Sequence, residues 1–240
     1  FAPSPVCSVD GVTYRNAECA ECNGVRELDY SRGACYNQVE EYDACAAVSC
    51  GPNASCSKLV ADCDFEEGAC GWRNGADGEF NFTMASGASI TAGTGPTTDH
   101  TTGNRTGGYM LADASGRREG DEAHLVSPAF DATANGVTCK MTFWYHMWGA
   151  DIKGMAVDVR RLQVDGLWRL GVWSKESVFA PGQPELNAWL PGEVDLSGFR
   201  ADGALQARVR AIRGKGARGD IAIDDVKLVC TQDEAAGEGE

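Results

Sequence analysis

The sequence predicts an all-β chain: a two-sheet antiparallel sandwich over residues 63–230, preceded by a small disulfide-rich module. Three observations predict it. Apolar and other residues alternate in several runs. Met155, Val157 and Val159 alternate with Ala156, Asp158 and Arg160; Leu205, Ala207, Val209 and Ala211 with Gln206, Arg208 and Arg210; Ile221 and Ile223 with Ala222 and Asp224. A period of two belongs to half-buried strands. Gly-rich breaks separate these runs as turns do, and no stretch of helical period competes. The 11 cysteines are also unevenly placed, with the first seven ending at Cys56 and the last four spread over the remainder. A dense cluster staples a small module, whereas sparse cysteines leave a domain to its own core. Many short strands with one apolar face each bury that face by packing two sheets together.

Composition narrows the function classes. The chain has 240 residues, 43% hydrophobic and 23% charged, which is globular composition with room for one medium domain and one or two small ones. A net charge of -14 argues against nonspecific nucleic-acid binding. No apolar run is long enough to span a bilayer. The cysteine content predicts an oxidising, extracellular setting. Three N-glycosylation sequons agree with it: Asn53-Ala54-Ser55, Asn81-Phe82-Thr83 and Asn104-Arg105-Thr106. The chain opens at Phe1 without a Met or a basic leader, so it reads as a segment of a longer secreted or membrane-anchored protein.

Residues 1–36 carry the run Pro5-Val6-Cys7-Ser8-Val9-Asp10-Gly11-Val12-Thr13-Tyr14-Arg15-Asn16. Asp10-Gly11 is a turn dipeptide before a short β-branched and aromatic strand. With Cys19, Cys22 and Cys35, this run resembles the second half of a Kazal domain, as found in secreted protease inhibitors and follistatin-like matrix proteins. The resemblance implies a Cys7–Cys35 disulfide. It leaves Cys19 and Cys22 without assigned partners, because the family's first two cysteines would precede Phe1. The spacing from Asn16 to Cys22 is also shifted by one residue from the family pattern. The family's protease-contacting P1 position falls on Phe1, which would suit a chymotrypsin-like serine protease if the Kazal module were complete.

Residues 37–62 look like the start of an EGF-like or follistatin-type hairpin, with Gly51-Pro52-Asn53 as its turn signal and Cys45–Cys56 as a pair. Cys50 has no evident partner there. Because the cysteine count is odd, at least one thiol is free or pairs outside the chain.

From residue 63 onward a set of motifs follows in order. Cys63-Asp64-Phe65-Glu66 leads to Cys70-Gly71-Trp72, then to Thr94-Gly95-Pro96-Thr97-Thr98-Asp99-His100-Thr101 and to Gly108-Tyr109-Met110. After them come Leu125-Val126-Ser127-Pro128, Cys139 through Gly149, and Gly219-Asp220-Ile221-Ala222-Ile223-Asp224-Asp225-Val226 before Cys230. This series resembles a MAM domain, the module of meprin, A5 antigen and receptor tyrosine phosphatase mu. The resemblance implies a jelly-roll sandwich and the disulfides Cys63–Cys70 and Cys139–Cys230. The longer crosslink would be worth roughly 4–5 kcal/mol in the chain-entropy account. Phe143, Trp144, Tyr145 and Trp173 are expected in the core and on sheet faces. Residues 231–240 form an acidic, Gly/Ala-rich tail of linker composition.

No motif for catalysis is present. The three histidines, His100, His124 and His146, are far apart, and there is no HExxH, nucleophile elbow or phosphate loop. Cys19-Ala20-Glu21-Cys22 is a CxxC in form, but the Kazal pattern accounts for both cysteines. The chain therefore reads as non-enzymatic. Should the first and last strands of the main domain be neighbours, Asp64, Glu66, Asp99 and Asp225 would offer hard oxygen ligands to a structural Ca2+. Arg200, Arg208, Arg210, Arg213, Lys215 and Arg218 form a local basic patch in sequence, fit for an acidic partner or a solvated strand face. Arg218-Gly219-Asp220 spells an integrin tripeptide, but it lies within a strand motif, where coincidence is the simpler account. The MAM resemblance implies contact with extracellular proteins, often between like molecules.

Overall fold

The computed structural model describes residues 57–131, 137–162, 164–177, 187–199 and 204–232, together with three short strands near the N-terminus. The chain divides into two compact units, residues 1–58 with 230–240, and residues 59–229. In the first unit, β1 (Val6–Ser8), β2 (Thr13–Tyr14) and β3 (Tyr30–Arg32) form a small antiparallel sheet in the order β2-β1-β3. Val6 lies opposite both Tyr14 and Arg32. Phe1, Asn53 and the side chains of Cys7, Cys19, Cys22, Cys35, Cys45, Cys50 and Cys56 lie outside the described residues.

The second unit is a sandwich of two six-stranded sheets. Its strands are β4 (Ser57–Cys63), β5 (Arg73–Asn74), β6 (Phe82–Ser86), β7 (Gly108–Ala112), β8 (Glu122–Val126), β9 (Phe130–Asp131), β10 (Val137–His146), β11 (Ile152–Arg161), β12 (Arg169–Glu176), β13 (Leu190–Asp195), β14 (Ala204–Arg213) and β15 (Ile221–Gln232). One sheet runs β13-β10-β15-β7-β6, with β4 also on β15. The other runs β12-β11-β14-β8-β5, with β9 also on β14. The strand pairs for which a register is defined are antiparallel. Among the described residues the helical element is a single 3-10 turn, Ser197–Phe199. An antiparallel sandwich of this kind is the jelly-roll class the sequence predicts.

The apolar set of each run read in the sequence lies on one face of its strand, the face turned to the core. Leu205, Ala207, Val209 and Ala211 of β14 and Met155, Val157 and Val159 of β11 point into the core at 0–1% exposure. Val157 sits opposite Val209. From the facing sheet, Met141, Phe143 and Tyr145 of β10 enter the same core. Trp173 of β12 closes the sandwich, with its ring edge-on to Phe143 at 5.2 Å and to Tyr145 at 5.4 Å. One glycine is dictated by this packing. Gly192 lies opposite Phe143, and a Cβ there would come within 2.5 Å of the phenyl ring.

Burial departs from simple alternation in several strands, among them β11, where Ala156 and Asp158 are buried between the core residues. In β15, Ile221, Ala222, Ile223 and Asp224 are all buried. In β14, Gln206 and Arg208 are buried although they face away from the apolar core. Polar side chains from neighbouring strands cover that outer face.

Candidate recognition site

The stretch Thr94 to Gly107 is held against β15 by carboxylates. Asp99 is 1% exposed and organises its own turn. It accepts hydrogen bonds from the Thr102 amide (2.5 Å), the Thr102 hydroxyl (2.9 Å) and the Asn104 amide (3.0 Å). Burial alone would raise its carboxyl, but these bonds outweigh burial and hold it below the usual carboxylate range. A Cβ at Gly107 would lie 2.3 Å from this carboxylate, so the turn closes only over glycine.

Asp224 and Asp225 grip the next two residues. The buried Asp224 carboxylate accepts from the amides of His100 (2.8 Å), Thr101 (3.4 Å) and Asp225 (2.8 Å). Burial still pushes its carboxyl up to about 7, and the neighbouring Asp225 charge adds to that. Asp225 adopts a left-handed backbone (φ 48°) two residues after Ile223, the last residue of β15 paired with β7. Its carboxylate takes the His100 ring at 2.5 Å and the Thr101 hydroxyl at 3.0 Å. The His100 ring stacks on Trp144 at 3.8 Å. Trp189 donates to the Thr98 carbonyl at 3.0 Å and stands edge-on to Tyr109 and His146.

The four carboxylates named as metal candidates therefore have local work. Asp64 caps the Glu66 amide at 3.1 Å, and Glu66 accepts from the Gly108 amide at 2.9 Å. β4 does pair with β15, so the first and last strands of the domain are neighbours. Yet among the described residues no group of three or more His, Cys, Asp or Glu side chains comes together to hold a metal ion. As placed, they do not form the shell of six to eight oxygens that Ca2+ takes.

The second polar assembly lies on the outer face of the other sheet. Register places Asp158 of β11 opposite Arg208 of β14, and Arg160 opposite Gln206. Asp158 is fully buried. It accepts from Arg208 at 2.6 and 2.9 Å, from Arg210 at 2.8 and 3.2 Å and from the Gly171 amide at 2.8 Å. Arg208 reaches on to Asp77 at 2.7 Å, and Arg210 to Glu122 at 3.0 Å. Arg160 donates to Gln206 at 2.6 Å, while Gln206 donates to the Ser127 carbonyl at 2.9 Å. Trp168 carries the guanidinium groups of both Arg160 and Arg208 at 4.5 Å from its ring. His124 sits between Asp77 and Glu122 at 3.0 Å from each. Two guanidinium groups, those of Arg208 and Arg210, thus meet three carboxylates, while the third, of Arg160, is held by the neutral Gln206.

This geometry corrects the basic patch. Arg208 and Arg210 are neutralised by Asp158, Asp77 and Glu122. Arg213 is buried and donates to the carbonyls of Ala114 and Gly214. Lys215 and Arg218 are exposed, with Arg218 3.8 Å from Asp151, and Arg200 lies outside the described residues. The integrin tripeptide is not displayed, because Asp220 is 0% exposed and accepts from the Ser89 hydroxyl and the Ala114 amide. Asp158, Asp77, Glu122 and Trp168 escaped the sequence reading. Asp158 and Glu122 show in the sequence only as charges on strands, and Asp77 and Trp168 lie in the connections β5–β6 and β11–β12. None of this has meaning until sheet order and register bring them together.

The remaining candidates are placed simply. Asn81 and Asn104 are exposed. A disulfide joins Cys63 to Cys70. Cys139 is buried and disulfide-bonded, and the Cys230 side chain lies outside the described residues.

Residues 63–233 match the MAM domain family, meprin/A5/mu. Neuropilin-1a of Danio rerio is 29% identical over 171 residues, 70% of this chain and 17% of that protein. MAM domain-containing protein 2 of Mus musculus is 34% identical over 168 residues, covering 70% and 22%. MAM domain-containing glycosylphosphatidylinositol anchor protein 1 of Homo sapiens is 34% identical over 172 residues, covering 69% and 17%. The chain spans about a fifth of the length of these relatives. With a match that takes in most of its residues and the sandwich those residues form, the chain belongs to the MAM domain family.

Proposed function

We propose that this chain is an extracellular, non-catalytic recognition module whose MAM domain contacts other extracellular proteins, a second copy of itself among them. The observation that carries this reading is the family match over residues 63–233. The side chains best suited to chemistry support it, since they are engaged in structure. His100 is stacked and bonded, His124 is held between two carboxylates, and His146 is buried beside Trp189. One relative is named for a glycosylphosphatidylinositol anchor, which fits a module displayed outside the cell or carried on a membrane protein.

The test is self-association of the secreted, glycosylated chain. Sedimentation over a concentration series and aggregation of coated beads should show dimers and clusters. A strict monomer with dispersed beads would remove the homophilic part and direct the search to a different protein partner.

A second reading, serine protease inhibition, is favoured by the Kazal-like run from Pro5 to Asn16, with Phe1 at the contact position. It requires the complete module. A chain that carries the family's first two cysteines ahead of Phe1, assayed against chymotrypsin-like proteases, tests it, and absence of inhibition by that module would end it.

A structural Ca2+ is a separate proposal, in which the ion would draw Asp64, Glu66, Asp99 and Asp225 together. Chelation with EDTA is then expected to lower the thermal midpoint by several degrees and added Ca2+ to restore it. An unchanged midpoint would remove the idea.

A further inference from the structure

Sheet edges offer unpaired N–H and C=O groups to any other chain, so proteins protect them. Four strands end the two sheet orders here: β13, β6, β12 and β5. Three have a visible device. β13 contains Pro191, which cannot donate to an incoming strand. β12 bulges between Arg169 and Trp173, with Gly171 at φ 63°. β5 is two residues long.

β6 differs. Phe82-Thr83-Met84-Ala85-Ser86 is uncharged, free of proline and regularly paired to β7 over all five residues. Among the described residues its outward edge is closed at one point. The Asn74 side chain accepts from the Phe82 amide at 2.8 Å and donates to the Phe82 carbonyl at 2.9 Å, in place of a strand. Since Phe82 turns its backbone groups outward, the antiparallel ladder turns those of Met84 and Ser86 the same way. Met84 is 44% exposed.

The two described sequons flank this open segment. Asn81 is exposed and immediately precedes β6. Asn104 lies in the turn that leads to β7, where Gly108 is opposite Ser86, and a Cβ on Gly87 would touch the Arg105 carbonyl at 3.4 Å. The Asn104 side-chain oxygen accepts from the Thr106 amide and hydroxyl, both at 2.7 Å, which leaves its amide nitrogen for modification.

We propose that Asn81 and Asn104 both carry N-glycans and that these two glycans close the open edge of β6 to strand addition by another chain. The proposal rests on the extracellular reading, because the donor is a lipid-pyrophosphate-linked oligosaccharide of the secretory route. There, each Asn amide nitrogen bonds to the anomeric carbon of the sugar and loses a proton. The C–O bond to pyrophosphate breaks and lipid pyrophosphate leaves. Two branched, hydrated sugars at the ends of a strand five residues long would keep a second backbone away from Met84 and Ser86. Self-recognition, where it occurs, then uses other surfaces.

The experiment uses the full chain secreted from eukaryotic cells. Glycopeptide mapping should find sugar on Asn81 and Asn104. A variant without both sequons, Thr83→Ala with Thr106→Ala, and the folded glycoprotein stripped by a glycosidase should each move toward dimers or larger species, at concentrations where the glycoprotein does not. Adding Met84→Lys should reverse that move by placing a charge on the edge. Unmodified Asn81 or Asn104 would overturn the site. Stripped protein that sediments like the glycoprotein would overturn the shield. Self-association of the intact glycoprotein is read separately and bears on the recognition function.

Discussion

Replacing Asp158 with leucine is expected to cost the domain about 3–5 kcal/mol of stability. Asp158 is 0% exposed and receives four hydrogen bonds from two guanidinium groups. Its removal leaves Arg208, itself 4% exposed, with only Asp77 near the surface, and leaves Arg210 with Glu122. An uncompensated buried cation is the expensive product, more than the lost attraction. The double variant Asp158→Leu with Arg208→Met should therefore recover part of the loss, since it removes the stranded charge as well. Urea denaturation of all three proteins measures this, with linear extrapolation to water. A single variant as stable as the parent would mean that water already screens the network.

Between about pH 4 and 6.5 two buried groups, His146 and Asp224, are expected to pull stability in opposite directions as pH changes. His146 is 2% exposed, and its Nδ1 has no partner among the described residues. Burial pushes its pKa from 6.5 down to about 4, with the Asn187 side chain offsetting only part of this. Within that window the unfolded chain holds a proton that the native ring lacks, so His146 lowers stability as pH falls. Asp224 acts in the other direction. Burial raises its carboxyl from 3.8 to about 7, so the native state holds a proton that the unfolded chain has released, and stability falls as pH rises.

Removing one partner exposes the other. His146→Leu should gain about 2 kcal/mol over the parent at pH 5 and almost nothing at pH 7. Loss of the unpartnered Nδ1 carries little cost of its own, and loss of the Asn187 hydrogen bond lowers the gain equally at both pH values. Urea midpoints at the two pH values provide the check. An equal gain at both would show that the ring's protonation does not matter.

The fold was legible because burial against a flat sheet demands alternation. Val157 and Val209 could be placed on a core face from their neighbours alone, and they meet in register. Aromatic residues crowded into β10 marked the interior in the same way. The chemistry of the outer face was not legible. Arg208 and Arg210 read as solvated charge, since nothing local in the chain shows that Asp158 lies across the sheet from Arg208. Asp224 and Asp225 were visible as acidic residues, but their task is to hold the amides and side chains of His100 and Thr101, more than 120 residues earlier in the sequence.

By itself the sequence determined the class of fold, the strand faces, the family and the exclusion of familiar catalytic motifs. These rest on periodicity, composition and local motifs, which act over a few residues along the chain. Only tertiary structure decided which charges are buried and neutralised, which carboxylates anchor loops and which strand edge lies open between two sequons. Those outcomes depend on strand register and sheet order. A shift of one residue would turn every side chain of a strand to the other face, and no local pattern carries that information across the chain.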